Sequence, residues 1–107
     1  MNIVIQVIQF RLAGLTEADY RAHAERVAPL FAGMPGLLSK VWLANAETNT
    51  YGGVYTWRDR ASLEHYRASA VYAGLLSNPG VADVSDRDFG ILPEATRVTA
   101  PELLSAV

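Results

Sequence analysis

The sequence contains no cysteine and only two histidines. Without cysteine, the chain cannot form disulfides, thiolate nucleophiles, iron–sulfur clusters or cysteine-ligated zinc sites. The histidines, His23 and His65, are far apart and fit neither a His-x-His nor a His-Glu-x-x-His pattern, so we expect no metal site. Because cysteine and an export signal are both absent, the expected compartment is the cytoplasm.

Positive charge and long hydrophobic runs are also scarce. Nine basic and eleven acidic side chains give a net charge of −2, which does not attract a phosphate backbone. Tyr51, Tyr55 and Trp57 could imitate the stacking aromatics of an RNA-recognition strand. That motif needs a basic residue at its start, however, and Thr50 occupies the position. The apolar stretch 1–10 is much shorter than the roughly 20 residues of a membrane-spanning helix. We therefore expect neither nucleic-acid binding nor membrane insertion.

Half of the residues are hydrophobic and 19% are charged, which is typical of a globular protein rather than a disordered one. The length of 107 residues predicts a single domain, 1–107, with a C-terminal tail from about residue 92. Residue spacing and capping residues predict the order of strands and helices. The expected elements are strands Asn2–Arg11, Leu37–Ala46, Tyr51–Trp57 and Val81–Ile91, helices Glu17–Ala32 and Arg60–Ser69, a looser helical stretch Val71–Leu76, and a turn of helix near Glu102–Ala106.

The order β-α-β-β-α-β predicts an α+β fold of the ferredoxin-like type, in which an antiparallel sheet carries its helices on one face. In a monomer, the other face of such a sheet would be polar. Here both alternating sets of strand residues are apolar, so we expect the open face to be covered in a face-to-face homodimer. In the first strand the two sets are Ile3, Ile5 and Val7 on one side, and Val4, Ile8 and Phe10 on the other.

Two stretches of the sequence resemble a known family. Pro35–Trp42 reads PGLLSKVW, and Gly52–Tyr55 reads GGVY and is followed by Asp59, the expected cap of the second helix. These residues resemble the YdhR-like monooxygenase family of the dimeric α+β barrel superfamily. That superfamily also contains antibiotic-biosynthesis monooxygenases and heme-degrading enzymes. The resemblance extends from about Val27 to Ile91, and it implies a ferredoxin-like protomer, a dimeric barrel and monooxygenase activity.

The sequence departs from these relatives in its histidines. Antibiotic-biosynthesis monooxygenases often carry a histidine in the second helix, where this chain has Tyr66, and the neighbouring His65 is expected to face outward. Heme-degrading relatives carry a histidine further along, where residues 71–76 contain none. The comparison with the family therefore implies that heme is not a partner, and we expect no other cofactor.

Three aromatic side chains are candidate walls of a substrate pocket, because such pockets are mainly aromatic with a few polar groups. Trp57 closes the third strand, where the superfamily places its important tryptophan, and Tyr55 lies on the same side of that strand. Trp42, in the second strand, is the third candidate. The alternative for all three is ordinary core packing.

Three polar residues complete the set of candidates. Tyr66 and His23 could transfer protons, although either could be structural. Lys40 could hold an anionic oxygen of the substrate, or its stem could cover apolar surface while its head reaches water. Three acids of the fourth strand, Asp83, Asp86 and Asp88, are expected to be edge or solvated charges, with Asp83 on the opposite side of the strand from the other two.

The leading hypothesis is a cofactor-independent monooxygenase that acts on a small electron-rich aromatic or quinol-type compound. Once deprotonated, such a substrate can itself supply electrons to O₂. The protein then needs only to orient the ring, exclude water and stabilise the anion. The alternative is a non-enzymatic small-ligand-binding or stress-related dimer on the same scaffold. An isomerase or dehydratase that needs no oxygen is a third hypothesis.

Overall fold

The computed structural model describes residues 2–105, which form one four-stranded antiparallel sheet and five helices. The strands run across the sheet in the order β2-β3-β1-β4, the ferredoxin-like arrangement, so the predicted α+β fold is confirmed. The strands are β1 (Val4–Leu12), β2 (Leu37–Asn45), β3 (Thr50–Trp57) and β4 (Val81–Phe89), and the helices are α1 (Glu17–Ala32), α2 (Arg60–Arg67), α3 (Ala70–Ser77), α4 (Pro93–Thr99) and α5 (Pro101–Ser105).

Side-chain caps set the starts of the first three helices. The hydroxyl of Thr16 accepts a hydrogen bond from the Asp19 amide at 3.1 Å, and α1 has the bounds that the sequence predicts. Asp59 caps α2 by accepting from the Ser62 amide at 2.8 Å. The sequence predicts that this second helix extends to Ser69. It ends two residues earlier because the Ser69 hydroxyl caps α3.

The C-terminal tail contains more helix than the sequence predicts. The short helix α4 was not expected; it begins at Pro93, whose fixed φ angle suits the first turn. The expected turn of helix near Glu102–Ala106 is confirmed as far as Ser105 by α5, and Ala106 lies outside the described residues. None of the helices in residues 2–105 is both long and apolar enough to cross a membrane.

The two faces of the sheet differ in what covers them. On the face that packs against the helices, Trp57, Tyr55 and Tyr51 of β3 lie opposite Val4, Gln6 and Phe10 of β1. These residues form one core with Phe31 of α1 and with Leu63 and Tyr66 of α2.

The open face of the sheet carries an apolar strip, as the alternation of strand residues predicts, with Gln9, Ser85 and Arg87 beside it. Across its middle, Val41 of β2 pairs with Val54 of β3, which pairs with Val7 of β1. Val41 is 58% exposed, and Phe89 at the end of β4 is 51% exposed. Contiguous apolar surface of this kind marks an interaction surface. The expected homodimer, which would cover it, stays a prediction.

Candidate functional site

A cavity of about 860 Å³ lies between α1, α3 and the helix-covered face of the sheet. Helix α3 contributes only apolar side chains and Gly74 to its lining, whereas α1 contributes Asp19, His23 and Arg26. Lys40 of β2 is the charged residue that the sheet contributes. The aromatic residues of the lining are Phe10, Tyr20, Phe31, Trp42, Tyr55 and Tyr66. A volume and lining of this kind suit a small aromatic ligand.

The side chain of Lys40 is enclosed by aromatic rings. Its Nζ atom lies 3.4 Å from the ring centroid of Phe31, 3.3 Å from that of Trp42 and 4.5 Å from that of Tyr55. Ring faces attract a cation through the negative potential of their π systems. We call these three rings the aromatic cage.

Lys40 has no compensating negative charge nearby. None of the carboxylates in residues 2–105 forms an ion pair with it. Burial therefore lowers the pKa of Lys40 from 10.5 to about 7, because the protein shields the ammonium from water. Near neutral pH, both the charged and the neutral form of Lys40 are therefore populated.

Two adjacent glycines make room for this arrangement. A Cβ atom at Gly53 would lie 3.0 Å from Cε of Lys40 and 3.2 Å from the Tyr55 ring. At Gly52, where φ is +149°, a Cβ atom would lie 1.9 Å from the carbonyl oxygen of Ile8. The Gly-Gly pair thus lets β1 and β3 approach and leaves the space that the Lys40 stem fills.

Two tyrosines place their hydroxyl groups side by side in the wall of the cavity. The hydroxyl oxygens of Tyr55 on β3 and Tyr66 on α2 are 3.4 Å apart, and both residues are buried. Burial raises the pKa of each hydroxyl, so both are protonated at neutral pH. In this state they are hydrogen-bond donors rather than bases.

Trp57 lies behind the cavity wall rather than on its surface. Its side chain is 1% exposed, and it stacks on Tyr66 and Tyr55 with centroid distances of 5.4 and 6.1 Å. It is not among the residues that line the cavity. The indole N–H donates to Oε1 of Gln6 at 2.9 Å, so this donor is used inside the protein.

The two histidines lie on the outside of their helices. His23 is exposed and lines the cavity from α1, and its Nδ1 atom is 3.4 Å from Nη2 of Arg26. His65 is exposed on α2, facing outward as the sequence predicts. Within residues 2–105, no three His, Asp or Glu side chains come together as metal ligands would.

A hydrogen-bonded network on the same sheet face is centred on Asp86 of β4. Its carboxylate accepts hydrogen bonds from Nε2 of Gln6 at 3.1 Å, from Nε and Nη2 of Arg67 at 3.1 and 2.9 Å, and from the hydroxyl of Tyr72. Burial acts to raise the pKa of Asp86, but these hydrogen bonds outweigh it and hold the pKa below its usual value. We call Asp86, Gln6, Arg67 and Tyr72 the Asp86 network.

A family model that matches most of the chain identifies its family. The family model described as "Putative mono-oxygenase ydhR" matches residues 5–102. This chain belongs to the ydhR family. The resemblance that Pro35–Trp42 and Gly52–Tyr55 suggest is therefore confirmed.

Solved structures share the fold of this ydhR-family protein at low sequence identity. SnoaB, a cofactor-independent oxygenase from Streptomyces nogalater, is 20% identical with a TM-score of 0.67, and the match covers 83% of this chain and 92% of SnoaB. MhuD, a heme-degrader from Mycobacterium tuberculosis, is 15% identical with a TM-score of 0.67, over 83% of this chain and 95% of MhuD. No curated protein matches the sequence. At these identities, the likeness establishes a common fold.

The ydhR-family fold brings five of the six sequence-predicted site residues to one cavity. Lys40, Trp42 and Tyr55 meet at the aromatic cage, while Tyr66 and His23 line other parts of the wall. Trp57, the sixth, stands behind Tyr55 and Tyr66.

Sequence reasoning missed the Asp86 network. The expectation of edge or solvated charges is right in position, because Asp83, Asp86 and Asp88 lie on β4, an edge strand, and Asp83 is exposed. Asp86 and Asp88 are not freely solvated, however: both accept hydrogen bonds from Arg67, and the Asp86 side chain is only 13% exposed. One signal could have revealed it. Gln6 is the polar residue among the otherwise apolar set Val4, Gln6, Ile8 and Phe10 of the first strand, and a buried amide needs partners.

Proposed function

We propose that this protein is a cofactor-independent monooxygenase of small electron-rich aromatic or quinol-type compounds, and that it works as a homodimer. The observation that carries the proposal is the aromatic cavity with an unpaired Lys40 in its floor. The match to a mono-oxygenase family and the shared fold of SnoaB, a cofactor-independent oxygenase, support it. The chemistry needs no bound group, because a quinol can reduce O₂ directly.

The substrate itself supplies the electrons that reduce O₂, so the reaction balances without another reductant. A hydroquinone that reacts with O₂ gives a hydroxyquinone and water: one oxygen atom enters the ring, and the other leaves as water. The hydroquinone supplies all the electrons. Ionisation of the phenol makes the ring a better electron donor, so the protein's main task is to bind the substrate as its anion.

Lys40 is the residue that we assign to this anion. In its ammonium form it is a compact positive charge in surroundings that exclude water, where its attraction for a phenolate is stronger than in water. Trp42 and Tyr55 hold the ring on either side of it. Gly53 supports the arrangement by leaving space for the Lys40 stem.

Tyr66 and His23 are the groups that we assign to proton handling. The protonated hydroxyl of Tyr66 can donate a hydrogen bond to a developing oxyanion. His23 is exposed at the α1 side of the cavity, where it can pass the phenolic proton to solvent. Trp57 acts through Tyr55 and Tyr66 by fixing their rings, so we assign it a positioning role.

Oxygen uptake tests the proposal. Purified protein is offered a panel of hydroquinones, catechols and dihydroxynaphthalenes in air and under argon, with the uncatalysed oxidation subtracted. We expect O₂ consumption and product formation in equal amounts in air, and none under argon. Lys40→Met should lower the rate about tenfold or more, as is usual when one preorganised electrostatic contact is removed. Arg97→Met, which removes an exposed cation of α4, is the matched control and should leave the rate unchanged.

Other outcomes of this assay separate the alternatives. Turnover that continues under argon would point to an isomerase or dehydratase. Saturable binding without turnover in air would point to the non-enzymatic ligand-binding dimer. Either outcome would contradict the oxygenase proposal.

The homodimer is tested by sedimentation. We expect the wild-type chain to sediment at twice its monomer mass, because the Val7, Val41 and Val54 surface would otherwise face water. Val41→Asp should produce a folded monomer, whereas Leu76→Asp, at an equally exposed position of α3, should leave the dimer intact. A wild-type protein that stays monomeric at micromolar concentration would contradict this part of the proposal.

A further inference from the structure

Lys40 is the only lysine among the 107 residues; every other cationic position carries arginine. A guanidinium stays protonated at all ordinary pH values and cannot act as a nucleophile, whereas a lysine amine can. The chain's one side-chain amine therefore lies in the wall of the 860 Å³ cavity, within an aromatic cage.

We propose that the neutral amine of Lys40 captures aromatic aldehydes as imines in this cavity. The nitrogen attacks the carbonyl carbon, and the π electrons of the carbonyl bond move to oxygen. A proton passes from nitrogen to that oxygen, which gives a carbinolamine. The carbinolamine then loses its hydroxyl group and the remaining N–H hydrogen as water, and a C=N bond forms. No electrons are gained or lost overall, so the step needs no oxidant or reductant.

The geometry supports a nucleophilic role in three ways. Lys40 has neither an ion pair nor a side-chain hydrogen bond among the described residues, so its cation–π contacts with the cage are the only polar interactions that the neutral amine gives up there. The rings of Phe31 and Trp42 exclude water from the nitrogen, which favours loss of water from the carbinolamine. Gly53 leaves the stem of the side chain free to lie in the cage.

The ionisable groups around the nitrogen do not hold it in its charged form. Tyr55 on β3 and Tyr66 on α2 are neutral at physiological pH because burial raises their pKa values. On α1, Asp19, Tyr20, His23 and Arg26 line the same cavity. Asp19 is the one acid among them and forms no ion pair with Lys40, and α3 contributes no charged group to the lining. Burial lowers the pKa of Lys40 to about 7, so a substantial fraction of it is neutral at physiological pH.

The aromatic residues that line the cavity favour aromatic over aliphatic aldehydes. An aldehyde attached to a ring can place its carbonyl carbon at Nζ while the ring lies among Trp42, Tyr55 and Tyr66. An aliphatic aldehyde of similar reactivity lacks this contact. The inference rests on the cavity being a ligand site, as in the proposed function, but it does not depend on oxygen chemistry.

Reductive trapping tests the inference on the unmodified wild-type protein. The folded chain is incubated at neutral pH under argon with 4-hydroxybenzaldehyde and cyanoborohydride, and Lys40 labelling is followed by peptide mass spectrometry. The same reaction is run on the chain unfolded in guanidinium chloride. We expect Lys40 to be labelled at least about tenfold faster in the folded chain, because its pKa is lower there. The α-amino group of the same chain is the internal reference.

Two further measurements make the result specific. Butanal should label Lys40 in the folded chain more slowly than the aromatic aldehyde, relative to the α-amino group. Gly53→Ala, which crowds the Lys40 stem, should slow labelling relative to the folded wild type in a chain that keeps its circular dichroism spectrum. If Gly53→Ala does not fold, the comparison of Lys40 labelling rates in the folded and unfolded wild-type chain still tests the proposal.

Equal or slower labelling of the folded chain would overturn the proposal, and equal labelling by butanal would overturn its aromatic class. Because the reaction is run without oxygen, either failure leaves the oxygenase assay unaffected. Oxygenase activity without accelerated labelling would mean that Lys40 acts only as a cation. Labelling without oxygen uptake would mean that imine capture stands while the oxygenase proposal fails.

Discussion

Lys40 and Asp86 are partly buried charges on the same face of the sheet, at its two opposite edge strands, and they have opposite surroundings. Asp86 on β4 accepts hydrogen bonds from three side chains, whereas Lys40 on β2 is surrounded by aromatic rings and has no counter-ion among the described residues. Burying a charge is unfavourable unless partners compensate for it. The Asp86 network offsets that cost, and the aromatic cage does so only in part.

The difference distinguishes a structural charge from a functional one. The Asp86 network joins β1, β4, α2 and α3, so it fixes the position of the helices on the sheet. Lys40 contacts only aromatic rings and forms no ion pair among the described residues, and its ammonium faces a cavity. A destabilising group of this kind is expected at a functional site, where local rules of stability are broken for the sake of chemistry.

The largest effect is expected from Trp57→Ala, because Trp57 connects the Asp86 network to the cavity wall through Gln6. Removing this buried side chain should lower the free energy of unfolding by about 3–5 kcal/mol, measured by urea denaturation. Trp57→Phe should cost about 1–3 kcal/mol, since Oε1 of Gln6 then loses its donor. Trp42→Phe is the control and should cost less than Trp57→Phe. Trp57→Phe with wild-type stability would contradict the assigned hydrogen bond.

Asp86→Ala should destabilise the fold by about 3 kcal/mol, also measured in urea. This is the low end of the range for breaking a buried ion pair, because Arg67 retains Asp88 and Glu64 as partners. Asp83→Asn is the matched control: Asp83 is exposed, and asparagine tolerates its positive φ angle of 54°. The control should change stability by less than about 0.5 kcal/mol. Equal losses in the two variants would show that the network contributes nothing.

Lys40→Met should have the opposite effect from these substitutions and raise the free energy of unfolding at neutral pH. Between pH 7 and 10 the unfolded wild-type chain binds the lysine proton that the folded chain has released, so wild-type stability rises with pH. The slope approaches about 1.4 kcal/mol per pH unit. Lys40→Met lacks this dependence, so the two unfolding free energies should converge as pH rises. Parallel curves would mean that the pKa of Lys40 is not lowered in the folded protein.

The smallest effect is expected from hemin, which should produce no specific Soret shift when titrated into the protein. Residues 71–76 of α3 contain no histidine to ligate the iron. A tight complex in the wild type would contradict this expectation, and its loss in His23→Ala would identify the ligand.

The element order could be read from the sequence because it depends on local signals. Alternating apolar residues mark strands, and Thr16 and Asp59 mark helix starts through bonds to residues three positions away. Helix α4 was missed because its sequence has only a proline at its start and no side-chain cap. The candidate residues of the cavity could be named for their chemistry, but their arrangement could not be predicted.

The sequence by itself determined the fold class, the apolar character of both sheet faces and the family. Only the tertiary structure decided that Trp57 and Trp42 share the helix-covered face, because alternation separates two sets of residues without saying which set meets the helices when both are apolar. It also decided that Lys40 enters an aromatic cage while Asp86 gains partners. The Gln6–Asp86 contact joins residues 80 positions apart, and contacts over such distances depend on how the whole chain packs.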